Sequence, residues 1–180
     1  MLHDFCIKNN MVAEELVKQH VKLNALFPNS VNTVRIVTKD GEIIGAGLRM
    51  GVGEAVVDNS SSGGISAPVD IDTGIVASFG EREKGEQIER FAKHPDTGVA
   101  IIGFEIPFWK ECVNYVALLS KKVSSISLIG WDIAITDQGP TLIEANLAPG
   151  LDLNQNTSIV SVPQKAINHL LYPIIHMHIR

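Results

Sequence analysis

The sequence predicts an α+β fold: a mainly antiparallel sheet with flanking helices. Three observations predict it. Two segments read as β-hairpins, one turning at Lys39-Asp40-Gly41 and one at Asp137-Gln138-Gly139-Pro140. One long segment, Phe108 to Val123, places apolar residues at helical spacing. Strands and helices also fail to alternate in the regular βαβ order that a parallel sheet requires.

Along the chain, Met11 to Val17 is the first strand candidate. Val31 to Thr38 follows and is rich in β-branched residues, which suit a pleated surface. Gly41 accepts positive φ, so the turn at 39–41 returns the chain into Glu42 to Arg49. Asp58-Asn59-Ser60-Ser61-Ser62-Gly63-Gly64 is a low-complexity loop. Ile75 to Phe79 and Ile101 to Ile106 read as short strands; Glu81 to Arg90 reads as a hairpin tip or a loop. Pro107 precedes the predicted helix, where a missing N–H is tolerated. Trp109, Cys112, Val113, Val116, Leu119 and Val123 form its apolar stripe. Ile129 to Thr136 and Thr141 to Asn146 form the second hairpin, and Pro163 opens a last helix.

Bulk composition narrows the function classes. The chain has 180 residues, is 45% hydrophobic and 19% charged, and suits one domain or one domain with a small lobe. A net charge of -5 with no run of lysine and arginine argues against nucleic acid and anionic membranes as partners. No stretch approaches the ~20 apolar residues of a membrane span, so no membrane insertion is expected. Cys6 and Cys112 form no metal-type or disulfide framework. The N-terminus MLHDFCIKNN lacks the apolar core of a signal peptide. The expected location is cytoplasmic.

The second hairpin carries the chemistry. It reads GWDIAIT, a turn, then TLIEAN. By the period-2 rule Ile133, Ile135, Ile143 and Ala145 form one apolar set. Asp132, Glu144 and Asn146 share the other face if the connecting loop holds an odd number of residues. Pairing Thr136 with Leu142 would set Asp132 opposite Asn146 with Glu144 adjacent, and Gly139 would be the left-handed bulge residue. Two carboxylates and an amide oxygen on one face make a hard oxygen cluster suited to magnesium. The same spacing also suits a polar patch on a half-buried strand pair, and spacing alone does not separate the two.

Asp132, eleven residues, Glu144-x-Asn146 and then Pro149-Gly150 resemble the metal-binding end of ATP-grasp enzymes. The resemblance continues upstream in order. Glu14-Glu15-Leu16-Val17 resembles the hinge that hydrogen-bonds adenine. Asn32-Thr33-Val34-Arg35 and Leu48-Arg49 resemble paired arginines on adjacent strands that face phosphate. Asp58-Asn59 and Gly63-Gly64 resemble the asparagine and glycines of the substrate loop. The combined text is most similar to the sugar-transfer-associated, glutamate-ligase-related ATP-grasp group, over nearly the whole chain.

The resemblance implies one ATP-grasp-like domain over 1–180, with the adenine hinge near 13–18. It implies ATP and Mg2+ (or Mn2+) as cofactors. Asp132, Glu144 and Asn146 are the implied metal ligands. Arg35, Arg49 and Asn59 are the implied catalytic residues, and Glu14, Glu15, Leu16, Val17 and Arg35 the implied nucleotide contacts. The implied reaction is ligation of a small-molecule carboxylate to an amine or thiol through an acyl phosphate. The group's name points to polysaccharide biosynthesis. Family members also carry an N-terminal lobe, with a lysine and a glycine-rich loop over the phosphates. Here the hinge-like segment begins about a dozen residues after Met1, and Lys8 is the only lysine before it. The expectation is therefore a C-terminal portion, completed by an upstream-encoded half or by a second copy. A non-catalytic nucleotide-binding module and a small-molecule kinase are the alternatives. His94-Pro95 reads as a turn, His20 as a structural histidine, and His169, His176 and His178 as surface.

Overall fold

Strand-forming residues fall into short runs, and in the computed structural model these pair into one antiparallel sheet. The structure describes residues 16–54, 63–147 and 149. Its strands are β1 (Thr33–Lys39), β2 (Glu42–Met50), β3 (Ile65–Pro68), β4 (Gly80–Lys84), β5 (Gln87–Phe91), β6 (Leu128–Thr136) and β7 (Gly139–Asn146). Among the described residues the sheet has seven strands in the order β5-β4-β3-β2-β1-β6-β7. The predicted α+β class and its antiparallel sheet stand. Met11 to Glu15 of the first strand candidate and the helix predicted after Pro163 lie outside the described residues.

The predicted 39–41 turn forms where the residue types require it. Asp40 and Gly41 both adopt positive φ, 51° and 85°, and Lys39 pairs directly with Glu42. Asp40 tolerates the left-handed region because its carboxylate accepts a hydrogen bond from the Ser127 hydroxyl (2.6 Å). The charged 81–90 stretch is a full hairpin, β4 turning through Gly85 into β5.

Two expected strands are not strands. Ile75 to Phe79 and Ile101 to Ile106 make only isolated bridges, Val69 to Val76 and Ile75 to Glu105. Turns at Gly74 and Gly103, both with φ above 70°, end each pairing after a residue or two. The intervening backbone groups still find partners, as in Val76 N–H to the Phe104 carbonyl (2.9 Å).

Alternation splits the sheet into two faces. One face is the core: Val34, Ile36, Leu48, Ile65, Trp131, Ile133 and Ile135 are all buried there. Two helices are described. The six-residue α1 (Val21–Leu26) contributes Leu23 and Leu26, both fully buried. Its start is capped by His20, whose Nδ1 accepts from the Lys22 amide (3.2 Å), in keeping with the structural reading of that residue. The predicted helix is α2 (Trp109–Lys122), and it buries Trp109, Cys112, Val116 and Ser120.

A buried polar knot fixes where the chain enters the sheet. The Gln19 side-chain amide donates to the carbonyls of Phe27 (3.0 Å) and Ser30 (2.8 Å). Its oxygen accepts from the Asn32 backbone (3.0 Å) and side chain (2.9 Å). The orphan carbonyls past the end of α1 are thus satisfied from within the protein.

Cys112 is fully buried, and burial, with Glu111 secondary, pushes its thiol up to about 12. The thiolate is the reactive form. Cys112 should therefore resist iodoacetamide at pH 8 in the native chain and alkylate once guanidinium unfolds it. Peptide mapping by mass spectrometry checks this; native labelling at unfolded rates would contradict the burial. The same shift makes alkali destabilising. Above its ordinary value of 9.0 the unfolded thiol ionises while the folded one stays protonated, so stability falls as pH rises toward 12.

Candidate active site

The polar face of the sheet is decided at β6 and β7. Thr136 pairs with Gly139, so the connection is the two-residue turn Asp137-Gln138 and not the odd-length loop expected. In unbroken register an even turn would set Asp132 opposite Ile143 and send Glu144 and Asn146 into the core. A bulge prevents this. The register shifts between Asp132 and Ile133, giving Ile133 opposite Leu142 and Asp132 opposite Glu144. Ile143 is the extra residue. The expected register is thereby corrected: Asn146 lies opposite Gly130, and Glu144, not Asn146, faces Asp132. The apolar set changes too, since Ile143 is 48% exposed and Leu142 packs against the core in its place. The bulge still brings Asp132, Glu144 and Asn146 to one face.

On the other side of β6, Asp132 pairs with Arg35 of β1. Arg35 grips it in fork geometry, Nε donating to Oδ1 (2.7 Å) and Nη2 to Oδ2 (2.6 Å). Arg49 of β2 donates from Nη1 to Oδ2 (3.2 Å), and the Asn146 amide donates to Oδ2 (3.3 Å). The three charged side chains are nearly dry, at 14% (Arg35), 7% (Arg49) and 6% (Asp132) exposure. Two guanidinium groups thus converge on the single Asp132 carboxylate. Oδ2 takes three donors and Oδ1 takes one, so Oδ1 is the oxygen with a lone pair to spare.

Could the predicted ligands hold magnesium? Glu144 is exposed beside Asp132 and presents a second carboxylate to the same face. Asn146 supplies the amide. Among the described residues no group of three His, Cys, Asp or Glu side chains is placed to hold a metal. The predicted set asks for only two carboxylates with an amide. Donor chemistry and face fit a hard cation, which would enter at Oδ1 of Asp132 and at Glu144.

Gly130 shows how tightly this face is built. A Cβ there would lie 2.6 Å from Pro149 Cβ and 3.6 Å from Arg35 Cδ. The chain past β7 thus returns over β6, and only glycine leaves room for it beside the arginine stem. The Pro149 that follows Glu144-x-Asn146 in the sequence motif has this packing role.

Other predicted residues fall elsewhere. Leu16 is 90% exposed and Val17 half-buried, and neither is in a strand. Glu14, Glu15 and Asn59 lie outside the described residues. His94 is fully buried; its ring stacks on Phe27 and its Nε2–H donates to the Gly51 carbonyl (2.8 Å). The backbone turns here as expected, the Gly98 N–H bonding the His94 carbonyl (2.8 Å).

The sequence reading missed how far the polar face runs. Arg49 pairs with Ser66, Ser66 with Glu81, and Glu81 with Arg90. Reading 81–90 as a hairpin and extending alternation from Arg49 would have found this row.

The model of the sugar-transfer associated ATP-grasp family matches residues 6–167. Among solved structures, the ATP-grasp ligase PsnB complexed with minimal precursor is similar, at 14% identity and a TM-score of 0.39. The match covers 88% of this chain and 36% of that one, so the present chain spans about a third of the ligase's length. No curated protein matches. Since the family match takes in most of the chain, including both arginine strands and the β6–β7 hairpin, the chain belongs to the sugar-transfer-associated ATP-grasp family.

Proposed function

We propose that the chain is the metal- and phosphate-binding part of an ATP- and magnesium-dependent ligase that joins a small-molecule carboxylate to an amine or thiol. The observation that carries this reading is the buried Arg35–Asp132–Arg49 centre, with Glu144 and Asn146 beside it on the same face. The role assigned to Arg35 and Arg49, both nearly dry, is to meet the negative charge that gathers as the γ-phosphoryl group passes to the substrate carboxylate. Preorganised cations in a low-dielectric site stabilise such charge strongly. Asp132, Glu144 and Asn146 would hold the metal, which when bound supplies charge neutralisation on the phosphates. The ion pair with Asp132 keeps both guanidinium groups in place before substrate arrives. The adenine hinge at Glu14, Glu15, Leu16 and Val17 and the loop residue Asn59 complete the proposed site.

The test is nucleotide binding with and without Mg2+, followed by ADP release with a panel of carboxylates and hydroxylamine as trapping nucleophile. An acyl phosphate gives a hydroxamate. No magnesium-dependent binding of ATP would end the proposal. Arg49→Ala should lower hydroxamate formation about a hundredfold, the scale of one lost charge-stabilising donor, while nucleotide affinity changes only a few-fold. Equal loss of both would place Arg49 in ground-state binding instead.

A further inference from the structure

Among the described residues the sheet ends in two edge strands, β7 and β5, and the two are finished differently. β7 carries the bulge at Ile143 and also Pro140, which has no N–H to offer a further strand. β5 has neither device. Its residues, Gln87–Phe91, include no proline or lysine, and they pair with β4 in unbroken register from Gly80 with Phe91 to Lys84 with Gln87. Such an edge is a template for another strand.

The turn fixes which backbone groups that edge offers. Lys84 and Gln87 flank the two-residue turn Gly85-Glu86, so they exchange both ladder bonds, and the pattern alternates from there. Gln87, Glu89 and Phe91 therefore spend their N–H and carbonyl groups on β4, while those of Ile88 and Arg90 face outward. The alternation continues past the strand, where the Ala92 carbonyl accepts from the Ile101 N–H on the outer side (2.9 Å). Among the described residues Ile88 and Arg90 have no such outer backbone partner. Ile88 is 54% exposed and the Arg90 side chain 68%.

We propose that β5 is a homodimer interface, where two copies of this chain join their β5 strands antiparallel about a two-fold axis at Ile88. Hydrogen bonding and charge select that register. Outward groups meet outward groups only when the axis passes through a residue. An axis at Arg90 or Phe91 calls on the Ala92 carbonyl, which is already engaged. An axis at Glu89 sets carboxylate directly against carboxylate, which is destabilising. An axis at Gln87 leaves Arg90 beyond the partner's turn. An axis at Ile88 sets the two isoleucines together and places Arg90 against Glu86 of the partner subunit, twice by symmetry. Arg90 commits Nε to Glu81 (2.9 Å), and a guanidinium has four further N–H donors. Glu86 is exposed at the turn. The contact is self-complementary and closes at two copies. Residues opposed in an antiparallel pair share a face, so both arginine centres lie on one side of the doubled sheet. The inference stands on the fold alone and does not depend on the ligase reading.

A strand pair of this length buries less than a standard interface of about 1,600 Å², so the dimer should form in the range of tens to hundreds of micromolar. Sedimentation velocity of the full chain, taken up to about 1 mM, should show a monomer passing into a dimer and nothing larger. Ile88→Lys sets two cations at the axis and should raise the dissociation constant at least about tenfold, with the melting midpoint unchanged because the side chain is exposed. Ile88→Cys in a Cys6→Ser background should give a disulfide-linked dimer under mild oxidation. Glu83→Cys in the same background, one strand further in, should not. The proposal is overturned by a chain that stays monomeric at every concentration, by association that continues past the dimer, by a dimer that Ile88→Lys leaves intact, or by a dimer in which position 88 does not cross-link.

Discussion

Asp132→Asn should destabilise the chain by about 3 to 5 kcal/mol, the usual loss when one partner of a buried ion pair is removed. The amide keeps the shape but not the charge. Arg35 and Arg49, at 14% and 7% exposure, would face each other without their shared anion. One end of the new amide is also a donor, directed at guanidinium N–H groups that need an acceptor. Thermal unfolding should show the midpoint falling by about 10 °C, scaled to a chain of this size. Magnesium-dependent nucleotide binding should weaken in the same variant. Glu144→Gln separates the two effects: Glu144 is exposed, so its loss should spare the midpoint yet still weaken metal-dependent binding. An unchanged midpoint for Asp132→Asn would mean that the ion pair is not buried in solution. Unchanged metal dependence in both variants would remove the metal assignment.

Gly74→Ala should cost about 3 kcal/mol, from overpacking and an unfavourable backbone angle together. Gly74 has φ +73°, and a Cβ there would lie 2.6 Å from Trp109 Cδ1 and closer still to Cγ. The surrounding loop has little freedom to yield. Asp70 accepts from the Thr73 hydroxyl (2.7 Å) and amide (2.8 Å), and these bonds, the hydroxyl first, lower its carboxyl from the ordinary value. Gly74 N–H bonds the Asp70 carbonyl (2.8 Å), and the Trp109 indole donates to the Ile71 carbonyl (3.0 Å). The loop therefore clasps the first residue of α2. Either the ring moves or the clasp opens. Denaturant unfolding measures the loss, and a native-like midpoint would show that the loop adjusts freely.

Much of this was legible in local sequence. The 39–41 turn, the α2 stripe and the second hairpin each rest on short-range rules, and each formed. The two segments that failed as strands were apolar enough but lacked partners long enough to pair with. No local pattern reveals that, because pairing length depends on where Gly74 and Gly103 turn the chain. The short α1 was invisible for a related reason. Six residues do not sustain a helix alone, and this one is held by Gln19, Asn32 and the burial of Leu23 and Leu26.

The sequence by itself determined which residues carry oxygen and positive charge, and their order along the chain. Tertiary structure alone decided which of them meet. Asp132 joins Arg35 across 97 positions of sequence, and only strand register sets such a contact. One extra residue, Ile143, then decides whether Glu144 and Asn146 point to the arginines or into the core, because side chains alternate and a shift of one inverts the face.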